Sequence, residues 1–175
     1  TIDTATFADP VTIAGGTIND ATGADIAAGT NAVTLQGTVA PGAAGGAASG
    51  ILNVTGNLTL AANDTFAVEI GGTSPGELAT THDQLNVTGT VTIGATVTLA
   101  ASAIGAFTPF AGDAFVLINT DGADAVSGIF LGLAEGAKVT NFLGSGRSGT
   151  LSYVGGDGND VTITGDGFFV SIDGA

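Results

Sequence analysis

The chain has no cysteine, no methionine and no tryptophan, and only two basic residues, Lys138 and Arg147, among 175. Without cysteine there is no disulfide framework, no thiolate nucleophile and no cysteine-based zinc site. Two cations cannot neutralise a row of phosphates, so a nucleic-acid partner is excluded. They also give an anionic bilayer little to attract, at about 1 kcal/mol per basic residue. No apolar run approaches the roughly 18 residues of a membrane-spanning helix, so membrane insertion is not expected. The absence of methionine at position 1 is what a processed product or a fragment would show, its targeting signal gone. One histidine, one tyrosine and no tryptophan leave little for acid–base catalysis or for stacking a sugar. The expectation is a chain that is not an enzyme.

What is present is equally one-sided. Sixteen acids give a formal net charge of −14, and trypsin has almost nothing to cut, which fits an extracellular or bacterial cell-surface setting. Hydrophobic content is 44%, too high for disorder. Thirty glycines, 29 alanines and 26 threonines make up nearly half the chain. Small residues and threonine suit thin, tightly turned β bodies better than a thick helical core.

The segments that can be read have period two. In "ILNVTGNLTLAA", Leu52, Val54, Leu58 and Leu60 point one way and Asn53, Thr55, Asn57 and Thr59 the other. The pentapeptide LNVTG returns at 85–89, where Leu85, Val87, Val91 and Ile93 alternate with Asn86, Thr88, Thr90 and Thr92. Such alternation marks strands buried on one face. Further strands are expected at 11–13, 32–39, 65–70, 96–100, 113–120, 149–154, 160–164 and 168–172. "DAFVLINT" at 113–120 is apolar on both faces and reads as covered on both. Glycine, asparagine, aspartate and proline supply the turns. One weak helical turn is expected within "GLAEGAKV" at 132–139.

Up to about residue 100 the strands are short and similar, as in a solenoid whose coils stack on one another. Apolar pairs at 33/35 and 52/54 lie about one coil apart. The 33-residue step between the LNVTG copies is longer, so 71–84, "GGTSPGELATTHDQ", reads as an inserted excursion and a place for contact with something else. From 101 to 175 phenylalanine becomes frequent and the strands diverge, as expected of a terminal cap or small sandwich.

Few residues invite chemistry. "GGDGNDVTI" at 155–163 is similar to a glycine- and aspartate-rich nonapeptide that binds calcium, with Asp157, Asn159 and Asp160 as oxygen donors. It occurs once and has Thr162 at the large apolar position, so the plainer reading is a turn between two strands. His82 beside Asp83 suits a solvated imidazole on a loop, since no nucleophile elbow accompanies it. Asp121 with Asp124, or Glu69 with Glu77, would be the acid pairs of a glycosidase, but nothing local singles them out. Four Asn-x-Thr sequons occur, at Asn53, Asn57, Asn63 and Asn86. The strand-like ends "TIDTATFA" and "FFVSIDGA" read either as internal partners or as docking strands for a neighbouring copy.

Together, "LQGTVAPGAAGGAASGILNVTGNLTLAANDTFAVEI" resembles a junction in bacterial autotransporter passengers and related large surface proteins. There, G-T-V-x-P-G leads into L-x-V-x-G and a threonine-rich strand. "FAGDAFVLINTDGADAVSGIFLGLAEGAKV", followed by "LSYVGGDGNDVTIT", resembles the module that follows it in giant secreted repeat proteins. The resemblance covers about 35–165 and implies a right-handed parallel β-helix serving as stalk, adhesin or fibre. It brings no catalytic residues and no cofactor.

The sequence therefore predicts an all-β protein. Residues 1–100 form coils of a right-handed parallel β-helix, and 101–175 an atypical β-rich cap continuous with it. The function expected is structural or adhesive, with a homo-oligomer or filament formed through terminal strands or solenoid ends. The alternative is a calcium-dependent binding module.

Overall fold

The computed structural model describes residues 5–6, 11–19, 25–42 and 48–167. The strand-like segment at 168–172 lies outside the described residues, and of 1–8 only Ala5–Thr6 is described. The protein is all-β. Its strands are β1 (Ala5–Thr6), β2 (Val11–Asn19), β3 (Asp25–Ala40), β4 (Ile51–Leu60), β5 (Thr65–Ile70), β6 (Gln84–Val87) and β7 (Val91–Ile93). They continue as β8 (Thr98–Ala103), β9 (Ala114–Thr120), β10 (Val126–Ser127), β11 (Lys138–Val139), β12 (Gly149–Gly155) and β13 (Asp160–Gly165). The segment 132–139 is turn and short strand; a 3-10 turn lies further on, at Phe142–Gly144.

All the strands belong to one mixed sheet, curled as a half-barrel. Its order is β11-β12-β13-β9-β6-β4-β3-β5-β8, with β1 and β2 on β3, β7 on β4 and β10 on β7. Pairing is parallel from β1 to β10 and antiparallel among β9, β13, β12 and β11.

The register explains the repeated pentapeptide. Leu52 pairs with Leu85, Asn53 with Asn86 and Val54 with Val87, so the copies lie side by side. The same 33-residue step joins Leu58 to Val91, Thr65 to Thr98 and Leu85 to Ile118. It is thus the spacing of paired parallel strands rather than a shorter step plus a long insertion. The corner at 71–83 has 13 residues, against ten at both 41–50 and 104–113, so its excess is small. Val33 and Leu35 pair with Leu58 and Leu60, while Val54 pairs with Ile26. The apolar match at 33/35 and 52/54 is therefore out of register by six residues.

Alternation directs the core. Leu52, Val54, Leu58, Leu60, Leu85, Val87, Val91 and Ile93 are all buried, each contributing roughly 1.5–3 kcal/mol by leaving water. The closing glycine of each pentapeptide has a steric reason. At Gly56 (φ 121) a Cβ would lie 2.5 Å from the Asn31 carbonyl oxygen, and at Gly89 it would lie 2.8 Å from that of Gly56. These are points where the chain bends and stacked backbones approach too closely for any side chain. β9 runs between β6 and β13, with Phe115, Leu117 and Ile118 buried and Val116 half-buried. Around it the core turns aromatic: Phe115 meets Phe107 and Phe142 edge-on, at centroid distances of 6.1 and 5.7 Å.

Candidate functional site

The densest collection of buried polar groups lies where β5, β6 and β9 converge, at His82, Asp83 and Gln84. The sequence suggested a solvated imidazole. The structure buries His82 to 1% exposure and Asp83 to 0%. Asp83 Oδ1 accepts the Gly50 N–H at 2.7 Å and Oδ2 accepts that of Glu69 at 2.8 Å. The Asp83 N–H donates to the Glu69 carbonyl at 2.9 Å. Gly42 makes room for this carboxylate, since a Cβ there would stand 2.5 Å from Oδ1. Gln84 Nε2 reaches the Val116 carbonyl at 2.9 Å. Three consecutive residues thus tie a corner to the preceding corner, to β5 and to β9.

The imidazole sits between two carbonyls, with Nδ1 3.0 Å from Gly72 O and Nε2 3.2 Å from Val116 O. A neutral ring carries one N–H and donates to only one of them. Its edge meets the Phe115 ring at 5.7 Å. Burial pushes the imidazole below its ordinary range, while those carbonyls pull the other way. Burial also drives the Asp83 carboxyl up to about 7, opposed by the two N–H donors and helped by the charge of Glu69. Glu69 itself is raised by burial, and its Oε2 is buried without a hydrogen-bond partner. No hydrogen bond joins His82 to Asp83, because each is spent on backbone. The pair acts as a clasp between rungs and lacks the geometry of a catalytic dyad.

The glycine-rich turn is put to similar use. Gly155–Gly158 turns β12 into β13, closed by Gly158 N–H on Gly155 O at 2.7 Å. Asp160 is buried, and its Oδ1 accepts the Thr120 N–H at 2.9 Å. Asn159 Nδ2 donates to the carbonyls of Gly122 and Asp124 at 3.3 and 3.1 Å. Asp157 is exposed. Burial raises the Asp160 pKa and the charge of Asp157 adds to it, with the Thr120 N–H opposing. Asn159 Oδ1 is buried and unpartnered. Among the described residues, no group of three or more His, Cys, Asp or Glu is placed to hold a metal.

Glu69 is half-buried beside the clasp and Glu77 stands on the corner. Asp121 and Asp124 bracket one tight turn, with Asp124 N–H on Asp121 O at 3.3 Å. Structural residues that local reading missed include Asp64, which is buried and accepts the N–H groups of Gly37 and Ala61 at 2.8 and 2.7 Å. Tyr153 is another: its hydroxyl accepts from Phe130 N–H and donates to Leu133 O, at 2.8 and 2.7 Å. The only local signal was the company Asp64 keeps in an "AAND" turn; no local pattern marks Tyr153. Half-buried polar side chains also form a ladder, Asn86 Nδ2 to Asn53 Oδ1 at 2.9 Å and Asn53 Nδ2 to Asp25 Oδ1 at 2.8 Å.

Comparison with protein-family models, with curated proteins and with solved structures finds no match for this chain.

Proposed function

We propose that this chain is a non-enzymatic structural or adhesive element of an extracellular, bacterial-type surface. In this reading it is a right-handed parallel β-solenoid closed by a β-rich cap, as the resemblance to autotransporter passengers implies. The observation that carries it is the 33-residue register, which lays like residues of successive rungs on one another over three pairs of strands. Such a stack is a load-bearing body: each rung rests on the next, and buried Asp64 and Asp83 clip adjoining turns together. Its conspicuous polar groups are engaged in holding backbone. Electron microscopy of the concentrated protein, with and without calcium, tests the assembly. Rods or filaments are expected, and dispersed monomers in both conditions would remove fibre formation from the proposal. Antibody labelling of intact producing cells tests the location.

A second reading, a calcium-dependent module, is favoured by Asn159 Oδ1, a buried oxygen without a partner next to Asp160. Calorimetry with calcium after chelation decides it: absence of both heat and a shift in melting temperature ends that reading.

A further inference from the structure

We infer that Asn63 is an acceptor for a covalently attached glycan, selected by the fold from the four Asn-x-Thr sequons. This stands independently of the fibre reading. Asn53 and Asn86 are half-buried, and their Nδ2 atoms are committed to the ladder, on Asp25 and on Asn53. Asn57 is exposed but lies inside β4, flanked by β3 and β7. Its Oδ1 accepts the Thr90 N–H at 3.0 Å and lies so near Gly89 that a Cβ there would be 2.6 Å away. Asn57 is thus held in regular strand backbone rather than on a turn.

Asn63 shares the exposure of Asn57 but lies outside the paired strands. It sits on the exposed turn between β4 and β5, in the left-handed region at φ 69. Its backbone N–H donates to Thr96 Oγ1 at 3.1 Å, and that hydroxyl donates back to Asn63 Oδ1 at 2.8 Å. The single proton of that hydroxyl is shared between Asn63 Oδ1 and the Ala95 carbonyl, and Asn63 Nδ2 has no hydrogen-bond partner among the described residues. The middle residue of the sequon, Asp64, is buried and holds the turn from inside through Gly37 and Ala61. A sequon on an exposed corner held by hydrogen bonds, its amide nitrogen uncommitted, is what a glycosyltransferase can approach.

The step is a substitution at the anomeric carbon of a sugar activated as a phosphate ester. The Nδ2–C1 bond forms, the C1–O bond to phosphate breaks, Nδ2 loses one proton, and a nucleotide or polyprenyl pyrophosphate leaves. Nothing is oxidised or reduced.

The test uses the folded chain with an asparagine-specific glycosyltransferase and UDP-glucose, and in a second arm an oligosaccharyltransferase with a polyprenyl-pyrophosphate oligosaccharide. A sequon peptide in each tube reports that the enzyme is active. Sites are mapped by mass spectrometry after cleavage at acidic residues, since only two basic residues are available. Expected is one added glycan on Asn63, and the arm that responds identifies the donor class. Asn63→Gln and Thr65→Val should each lose it; the near-isosteric Thr65→Val keeps the strand and guards against misfolding. Labelling of Asn53, Asn57 or Asn86 ahead of Asn63 overturns the inference. So does an unlabelled protein beside a labelled peptide in both arms.

Discussion

The parallel strands β3 to β8 and the antiparallel set β9, β13, β12 and β11, the stack and the cap of one mixed sheet, bury an apolar interior by different means. In the stack the interior is mostly Leu, Val and Ile, with Phe66 of β5 stacked on Phe130, and polar side chains of one strand bond the next. Around the cap, aliphatic residues such as Leu117, Leu151 and Ile163 are joined by unlike aromatic contacts, Phe115 with His82, Phe107 and Phe142, and Phe130 with Tyr153. The stack spreads its stability over repeated neighbours, whereas the cap concentrates it in a few rings. The lesson is where damage will show.

The largest contrast should come from Phe115→Ala, which removes the ring shared by cap and clasp. A loss of ~3–5 kcal/mol is expected in chemical denaturation. A loss under 1 kcal/mol would mean that the aromatic cluster does not govern the cap.

Next comes Asp83→Asn. The amide can accept only one of the two N–H groups, and a stranded buried donor costs about 1–3 kcal/mol. The variant also separates two opposed titrations. The Asp83 pKa is raised from 3.8 to about 7 in the fold, so its contribution is full below about pH 4 and is lost as pH rises through 7. The His82 pKa is lowered from 6.5, so its contribution is present above 6.5 and lost as pH falls through the folded value. In Asp83→Asn only the histidine trend remains, and the melting temperature should fall more steeply on acidification than in the parent. In His82→Gln the melting temperature should instead decline from pH 4 to 7. Melting curves of both variants that merely parallel the parent would show that neither group titrates with folding.

A smaller effect tests the stack. Asn53→Ala removes the middle of the Asp25–Asn53–Asn86 ladder and should cost about 1 kcal/mol by denaturant titration. The smallest lies on the cap surface, where Lys138 Nζ meets Asp166 Oδ1 at 2.9 Å with the lysine more than half exposed. Lys138→Met should change stability by roughly 0–1 kcal/mol and less at high salt. If it rivals Phe115→Ala, the contrast between stack and cap has been misjudged.

Much of the fold could be read because period-two alternation is local: Leu52, Val54, Leu58 and Leu60 declare a buried face without reference to anything distant. The apolar run at 113–120 marked a strand for the same reason, although Val116 is only half-buried. Rung spacing could not be read so well, because 28 residues separate Ile26 from Val54 and 33 separate Leu52 from Leu85. Unequal steps defeat a search for one period. The clasp was the hardest to see. His82 looks like a loop histidine until Phe115 arrives from 33 residues later to cover it. The turn at 155–160 was legible as a turn, while the partners of Asn159 at Gly122 and Asp124 were not.

The sequence by itself determined that this protein is all-β, acidic and without thiol chemistry, since composition and two-residue alternation act through nearest neighbours. It also marked LNVTG as a repeated strand and corner. Only the tertiary structure decided that the two copies lie in register, that Gly56 and Gly89 are required by close backbone approach, and that His82 and Asp83 are buried. Those outcomes depend on which rung stacks on which. That is a matter of contacts between residues tens of positions apart, and no local pattern encodes their partners.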